Sequence, residues 1–268
     1  MTPANTGTVL DRILDARRAA VEHRKKVLPE AALKYGVKHG LAVRDFPAAL
    51  TRPGLNVIAE LKPASPSRGV IRENFDPVVL ARALEAAGAA ALSVLTEEEF
   101  FRGSLQNLRA ARKSTALPVL RKDFIFDPWQ VWETRANDAD SFLLIVAALG
   151  DAQLRELLAL GRELAMEPLV EVHTAEELQR ALAAGARILG VNNRDLKTLQ
   201  VRPETSFELV AKIPGDCIAI SESGLRSHDD LCRLRAAGFD AFLIGESLMQ
   251  AADPGAALAA LLGPAGAP

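Results

Sequence analysis

From residue 56 onward, short apolar segments alternate with longer segments of helical periodicity. The short segments are rich in Val, Ile and Leu and read NVIAEL, AALSVL, LPVLRK, SFLLIV, PLVEV, RILGVN, CIAISE and AFLIG. Apolar runs of this length, bounded by turn residues, are typical of fully buried strands. The segments between them, such as residues 76–88 and 174–185, have the spacing of apolar positions that predicts amphipathic helices.

Residues typical of helix ends bound these helical segments. Gly88, Gly185 and Gly238 stand where the chain is expected to leave a helix, and glycine suits the left-handed conformation needed there. Asp76 and Asp127 each precede a proline, a combination that favours a capped helix start because the carboxylate accepts from free backbone N–H groups. The boundaries of several helices are therefore predicted at both ends.

Eight strand–helix units, spaced by roughly 20–27 residues, predict an α/β fold of the (β/α)8 TIM barrel type. A doubly wound open sheet is the alternative, but no G-x-G-x-x-G motif follows the first strand. A charged amphipathic helix is predicted at about residues 8–28. We predict one barrel domain over residues 1–268, in which residues 1–50 form an N-terminal helical extension packed on the barrel.

Composition and charge exclude several classes of partner. The 268 residues carry a net charge of −2 without a basic stripe, so a nucleic-acid partner is not expected. The longest apolar run, residues 142–149, is far shorter than the ~20 residues that span a bilayer. No secretory signal is recognised, and the two Cys and four His have no metal-ligand spacing. We expect a cytoplasmic protein without a structural metal and without a membrane partner.

Polar side chains gather at the C-terminal ends of the predicted strands. Glu60 and Lys62 end the first strand, Lys122 ends the third, Glu171 lies late in the fifth, and Asn192 ends the sixth. Barrels of this type carry their chemistry at these ends. Glu60 and Lys62 are two positions apart and share a face. Two explanations remain open: a salt bridge that only closes the barrel top, or a ligand site.

The last two predicted strands run into glycines that are suited to anion binding. Gly224 lies in the segment SESGL and Gly245 in IGESLM. Barrels often hold a phosphate with the loops after the seventh and eighth strands, where a glycine lets backbone N–H groups approach the anion. Glu246 is an acid beside this predicted site, so we expect either that its side chain points away and only backbone amides face the ligand, or that the phosphate assignment is wrong.

Six segments combine these features in order along the chain: AELKPASPSRG, LSVLTEEEFFRG, LRKDFI, LVEVH, GVNNRDL and ISESG. Together they resemble the indole-3-glycerol-phosphate synthase family of tryptophan biosynthesis, over about residues 8–262. The resemblance implies ring closure, decarboxylation and dehydration of 1-(2-carboxyphenylamino)-1-deoxyribulose 5-phosphate, with no cofactor and no metal. The expected partner is this small phosphosugar–anthranilate substrate, and the expected state is a monomer or a weak homo-oligomer.

The resemblance also implies roles for the residues at the strand ends. Lys122 is expected to be the general acid that protonates the ketone as the ring closes. Glu171 is expected to serve dehydration as an acid–base residue, and Lys62 to bind the substrate anion and assist proton transfer. Glu60 and Asn192 are expected to position the hydroxyl groups and the lysines.

Further substrate contacts are implied on two sides of the site. Ser65 is expected to reach the anthranilate carboxylate. Leu95 and Phe124 are expected to line an apolar anthranilate pocket, with plain core packing as an equal alternative. The residues expected around the phosphate are Arg194, Ser223, Gly224, Gly245 and Glu246.

Two questions of mechanism follow from the lysines. A lysine at its ordinary pKa of ~10.4 is a poor proton donor at neutral pH, so we expect a second cation or desolvation to lower the pKa of Lys122. A lysine near a phosphate site also suits imine chemistry, which makes a Schiff-base aldolase the alternative enzyme class. A non-catalytic phosphosugar-binding protein is the third possibility.

Overall fold

The structure, a computed structural model, describes residues 8–196 and 198–264. Its barrel strands are β1 Asn56–Leu61, β4 Ala91–Leu95, β5 Val119–Lys122, β6 Ser141–Ile145, β7 Leu169–Val172, β8 Ile188–Asn192, β9 Ile218–Glu222 and β10 Ala241–Ile244. These parallel strands close in the order β1-β10-β9-β8-β7-β6-β5-β4. The predicted (β/α)8 TIM barrel is therefore confirmed. Two short strands, β2 Ala64–Ser65 and β3 Gly69–Val70, form an antiparallel pair in the loop after β1.

Helices alternate with the strands outside the barrel, and three precede it. Their bounds are α1 Val9–Val27, α2 Glu30–Lys38, α3 Phe46–Leu50, α4 Pro77–Ala86, α5 Leu105–Ser114, α6 Pro128–Ala136, α7 Asp151–Glu163, α8 Ala175–Ala183, α9 Glu204–Val210, α10 His228–Ala237, α11 Glu246–Gln250 and α12 Pro254–Leu262, with a 3₁₀ turn at Val146–Ala148. Residues 1–7, 197 and 265–268 of the predicted 1–268 domain lie outside the described residues. The division into one domain with an extension at residues 1–50 stays a prediction.

The predicted helix ends follow from side-chain and backbone chemistry. Asp76 accepts hydrogen bonds from the backbone N–H groups of Val78 and Val79, which opens α4. Asp127 and Gln130 form a capping box at the start of α6. Gly238 ends α10 with φ of 116°, a conformation that a side chain would strain.

The barrel interior is an apolar floor with a polar layer above it. Alternate strand residues point inward and form one buried cluster, into which α3 inserts Phe46 and Leu50, both fully buried, from the N-terminal end of the strands. The next inward positions along several strands carry polar groups, because side chains two apart share a face. The apolar residues directly below the polar layer include Ile58, Leu120, Leu169, Ile188 and Ile220.

Helix α1 is held to the barrel by ion pairs with two buried carboxylates. Arg17 Nη2 donates to Asp123 Oδ2 at 2.6 Å, and Arg24 Nη2 lies 2.6 Å from Glu133 Oε1. Arg121 lies between the two carboxylates, 2.9 Å from each. Buried charges are costly unless they are paired, so this network fixes α1 against β5 and α6.

Candidate active site

A cavity of about 600 Å³ opens at the C-terminal ends of the barrel strands. The five predicted catalytic residues line it: Glu60, Lys62, Lys122, Glu171 and Asn192. The eight predicted substrate-binding residues line it as well: Ser65, Leu95, Phe124, Arg194, Ser223, Gly224, Gly245 and Glu246. The fold therefore brings all of them to one cavity, while the role of each stays a prediction.

Lys122 lies between two carboxylates that come from other strands. Its Nζ donates to Glu171 Oε2 at 3.0 Å and to Glu222 Oε2 at 3.1 Å. Burial lowers the pKa of Lys122, but the negative charges of Glu171, Glu222 and Glu60 outweigh burial and raise it above its ordinary value. The expectation of a lowered pKa was wrong, because the carboxylates around the ammonium group outnumber the neighbouring cations.

Glu222 is a functional candidate to which the sequence had assigned no role. Its side chain is 1% exposed and its Oε2 accepts from Lys122. Burial raises the pKa of Glu222, Glu171 raises it further, and Lys122 only partly offsets both, so that the pKa reaches about 7. The sequence could have indicated this residue, because Glu222 ends the seventh predicted strand two positions after Ile220 and therefore points into the barrel as Ile220 does.

Glu60 and Lys62 form the ion pair that their spacing allows. Lys62 Nζ lies 2.8 Å from Glu60 Oε1, and the two side chains are 15% and 5% exposed. Burial raises the pKa of Glu60, but Lys62 and Lys122 outweigh it and hold the pKa below its ordinary value. Both residues line the cavity, and a role of the pair in ligand binding stays a prediction.

Glu171 is held in place on the side opposite Lys122. His173 Nε2 lies 3.4 Å from Glu171 Oε1, and the Nδ1 of the same ring lies 3.2 Å from Glu177 Oε2. Burial raises the pKa of Glu171, but the charges of Lys122 and His173 and a hydrogen bond with Asn192 outweigh it and lower the pKa. Glu171 is therefore a carboxylate at neutral pH, with its orientation set by neighbours.

Two glycines leave room for the carboxylates of the site. A Cβ placed on Gly190 would overlap Glu222 Oε1 and lie 3.2 Å from Glu222 Cδ. A Cβ placed on Gly245 would lie 2.5 Å from Glu60 Oε1. Any larger residue at either position must displace a carboxylate of the polar layer.

The predicted phosphate side contains two cations and one acid. Glu246 Oε2 lies 3.4 Å from Arg194 Nη2, and Glu246 Oε1 lies 3.1 Å from Arg68 Nε. The expectation that Glu246 points away from the phosphate ligands was therefore wrong for its side chain, because two guanidinium groups attract the carboxylate. Arg68 belongs to the loop after β1, so Glu246 also connects that loop to the end of β10.

The segment after β9 is unusually constrained. Ser223 has φ of 69° and Gly224 has φ of 81°. A non-glycine residue in this region costs about 1–3 kcal/mol and needs support from its surroundings. That support includes a hydrogen bond from Ser223 Oγ to Asn192 Oδ1 at 2.8 Å.

The opposite side of the cavity is apolar. Leu95 is 4% exposed, and the rings of Phe124 and Phe101 lie with their centroids 6.0 Å apart. Leu10 and Ile13 of α1 complete this side, a contribution of the N-terminal helix that sequence reasoning missed. Such a surface suits an aromatic ring, whereas the phosphate side suits an anion.

No arrangement suited to a metal is present within residues 8–196 and 198–264: no three His, Cys, Asp or Glu side chains are placed to hold an ion. In the same part of the chain, no helix combines the length and apolarity needed to cross a bilayer.

The family model and the relatives that match this chain indicate the same family. The family described as "Indole-3-glycerol phosphate synthase" matches residues 10–261. The indole-3-glycerol phosphate synthase of Rhodococcus jostii (strain RHA1) is 49% identical over 255 residues, covering 95% of each chain. The protein of the same name from Variovorax paradoxus (strain S110) is 46% identical, covering 94% of this chain and 98% of the relative. Among solved structures, N-acetylmannosamine-6-phosphate 2-epimerase from Clostridium perfringens shares the fold, with a TM-score of 0.60, 14% identity and coverage of 78% of this chain and 93% of that chain.

Proposed function

The chain belongs to the indole-3-glycerol phosphate synthase family of carboxy-lyases, and we propose that Lys122, held between Glu171 and Glu222, is the acid that drives its reaction. That reaction closes the pyrrole ring of 1-(2-carboxyphenylamino)-1-deoxyribulose 5-phosphate, releases CO2 and removes water. The observation that carries the assignment is the position of Lys122 Nζ, 3.0 and 3.1 Å from two carboxylates inside the cavity.

Ring closure needs a proton at the ketone oxygen. As the aromatic carbon attacks the ketone carbon, negative charge develops on that oxygen, and an ammonium group can neutralise it by donation. The raised pKa of Lys122 keeps the proton on the lysine until then. Transfer is still favourable, because an alkoxide is a stronger base than an amine. Before the transfer, hydrogen bonds to Glu171 and Glu222 hold the ammonium group in position.

Dehydration needs an acid for the leaving hydroxyl group and a base for a proton of the adjacent ring CH2 carbon, because the indole product keeps its N–H. The environments of Glu171 and Glu222 separate their pKa values: that of Glu171 is lowered, and that of Glu222 is raised to about 7. Divergent pKa values of neighbouring carboxyl groups are a guide to base and acid roles. We assign Glu171 as the base and Glu222 as the proton donor. The family resemblance implies a role for Glu171, whereas the role of Glu222 is inferred from the structure.

Substrate orientation follows from the two sides of the cavity. The anthranilate ring lies against Leu95 and Phe124, with its carboxylate toward Ser65 and Lys62. The phosphate lies near Arg194, Gly224 and Gly245. Consistent with the sequence, we propose a cytoplasmic enzyme that acts on a small molecule, as a monomer or weak homo-oligomer, without nucleic-acid or membrane partners.

Product formation tests the proposal directly. The fluorescence of indole-3-glycerol phosphate is followed with purified protein and substrate. Lys122→Ala is expected to lose roughly 10²–10⁴-fold in kcat, while a reduced substrate analogue still binds within about tenfold. Lys113→Ala, on the exposed end of α5, serves as the control with unchanged kcat. Near-normal turnover of Lys122→Ala would contradict the assignment.

The Schiff-base aldolase alternative is tested with borohydride. The protein is incubated with a keto-sugar phosphate, reduced and digested, and the peptides are analysed by mass. Acid catalysis predicts unmodified Lys62 and Lys122. A reduced adduct on either lysine would favour imine chemistry and remove Lys122 from its role as a simple proton donor.

A further inference from the structure

Outside the barrel mouth, a thiol and an imidazole form a pair on one helix. Cys232 and His228 are four residues apart on α10, and Cys232 Sγ lies 3.4 Å from His228 Nε2. Neither residue lines the catalytic cavity. A thiol with an adjacent base has the arrangement of an activated nucleophile, provided that the base is held in the correct tautomer.

The tautomer of His228 is set by a backbone carbonyl. His228 Nδ1 lies 2.9 Å from Leu261 O, at the end of α12. A carbonyl oxygen only accepts hydrogen bonds, so Nδ1 carries the proton and Nε2 presents its lone pair to Cys232. The orientation of the base by a third group is the feature that distinguishes a functional pair from two neighbouring polar side chains.

The ring of His228 is also fixed by packing. A Cβ placed on Gly263 would lie between 2.5 and 2.9 Å from three atoms of the imidazole, and Gly263 has φ of 75°. The ring therefore sits in a space that only glycine leaves open. Its orientation toward Cys232 is built into the fold by contacts from α12 as well as from α10.

The second cysteine of the chain provides an internal comparison. Cys217 and Cys232 are both half-buried and free. Cys217 Sγ lies 3.7 Å from Ala186 O, an acceptor that cannot take up a proton. Burial and the charge of Asp216 raise the pKa of the Cys217 thiol. The two half-buried thiols thus differ in one property that favours the thiolate, a nearby base.

We propose that Cys232 is a covalent modification site for small disulfides, with His228 as its base. The proton of the thiol passes to His228 Nε2, and the Cys232 thiolate attacks one sulfur of the disulfide. The S–S bond of the reagent breaks as the new S–S bond forms. One thiolate leaves and takes up the proton from the imidazolium. The disulfide is the oxidant and is reduced by two electrons, so the step is balanced.

The test measures the reaction of each thiol with the aromatic disulfide DTNB at pH 7. The full-length Cys217→Ser protein reports Cys232 alone, and Cys232→Ser reports Cys217 alone. Rates for both proteins unfolded in guanidinium chloride give the intrinsic reactivity of each thiol. We expect Cys232 to react at least tenfold faster than Cys217 in the folded state, after division by the unfolded rates.

The contribution of the base is tested in the Cys217→Ser protein. His228→Asn keeps a donor near Leu261 O but removes the acceptor that faces Cys232, and at least a fivefold loss of rate is expected. Gly263→Ala keeps the imidazole but displaces its ring, and it is also expected to slow the reaction. Circular dichroism and turnover identify any variant that fails to fold.

Two results would overturn the proposal. Equal normalised rates for Cys217 and Cys232 would show that the pair does not activate the thiol. An unchanged rate in folded His228→Asn would show that the imidazole is not the base. Because the pair is separate from the cavity, full modification of Cys232 is expected to leave kcat within about twofold, which keeps this test independent of the proposed function.

Discussion

Gly190→Ala is the substitution that tests most directly whether the carboxylate layer positions Lys122. Gly190 lies on β8, and its missing side chain leaves the space that Glu222 occupies. An added Cβ would overlap Glu222 Oε1 and lie 3.0 Å from Leu169 Cδ1. Leu169 belongs to the packed apolar floor and cannot yield easily, so the carboxylate is the group that moves.

The size of the effect follows from the distances. The new Cβ would lie well inside van der Waals contact with Glu222 Oε1, so this oxygen must move by at least about 1.3 Å to reach an ordinary van der Waals separation. That movement breaks or redirects the 3.1 Å hydrogen bond from Lys122 Nζ. A displacement of about 1 Å at a catalytic group costs on the order of 10²-fold in rate. We therefore expect kcat/KM to fall about 100-fold, without the loss of any side chain of the site.

The assay is steady-state formation of indole-3-glycerol phosphate by fluorescence. Gly150→Ala is the matched control, because nothing lies within 4 Å of a Cβ at that position. In a Glu222→Ala background, Gly190→Ala is expected to lower kcat/KM by less than a further factor of about three, since the carboxylate that it would displace is absent. A Gly190→Ala enzyme within twofold of wild type, or an equal effect in both backgrounds, would refute the reasoning.

Three further predictions concern charge. Glu222 binds its proton more tightly in the folded protein, because its pKa is raised from 4.5 to about 7. As pH rises from 4.5 to 7, the free energy of unfolding of the wild type should therefore fall by about 3 kcal/mol relative to that of Glu222→Gln. Thermal unfolding midpoints of the two proteins that run parallel across this range would contradict the prediction. Arg17→Met leaves the buried Asp123 with one guanidinium fewer and should lower the free energy of unfolding in urea by about 3 kcal/mol, whereas a loss below about 1 kcal/mol would show that the pair contributes little. Glu246→Gln removes the acid that pairs with Arg194 and should tighten inhibition by inorganic phosphate up to about fivefold; unchanged inhibition would mean that the carboxylate does not compete with phosphate.

The fold could be predicted from the sequence because each unit of the barrel carries its own signals. A strand buried on both faces is a short run of Val, Ile and Leu, and an exposed helix shows its periodicity and its caps. Glu60, Lys122 and Glu171 were recognisable for the same reason: each is a charge inside a run that is otherwise apolar, at the end where barrel chemistry is found.

The electrostatic environment of the site could not be predicted in the same way. The carboxylates that contact Lys122 lie 49 and 100 residues away in the sequence, so their effect on its pKa depends on how the barrel closes. Glu246 was misjudged because Arg68, 178 residues away, reaches it from the loop after β1. Local patterns identify which strand ends carry charge, and only the closed barrel shows which charges face each other.

The Arg17–Asp123 pair has a consequence for how the chain is made. The two residues are 106 positions apart, so α1 leaves the ribosome before its docking surface on β5 has been synthesised. At roughly 5–20 residues per second, the helix waits on the order of ten seconds with its apolar stripe exposed. During that interval Arg17 and Arg24 are hydrated charges beside the stripe and discourage association with other chains. The guanidinium groups that anchor α1 in the folded protein are therefore also charges on its docking side before the barrel has formed.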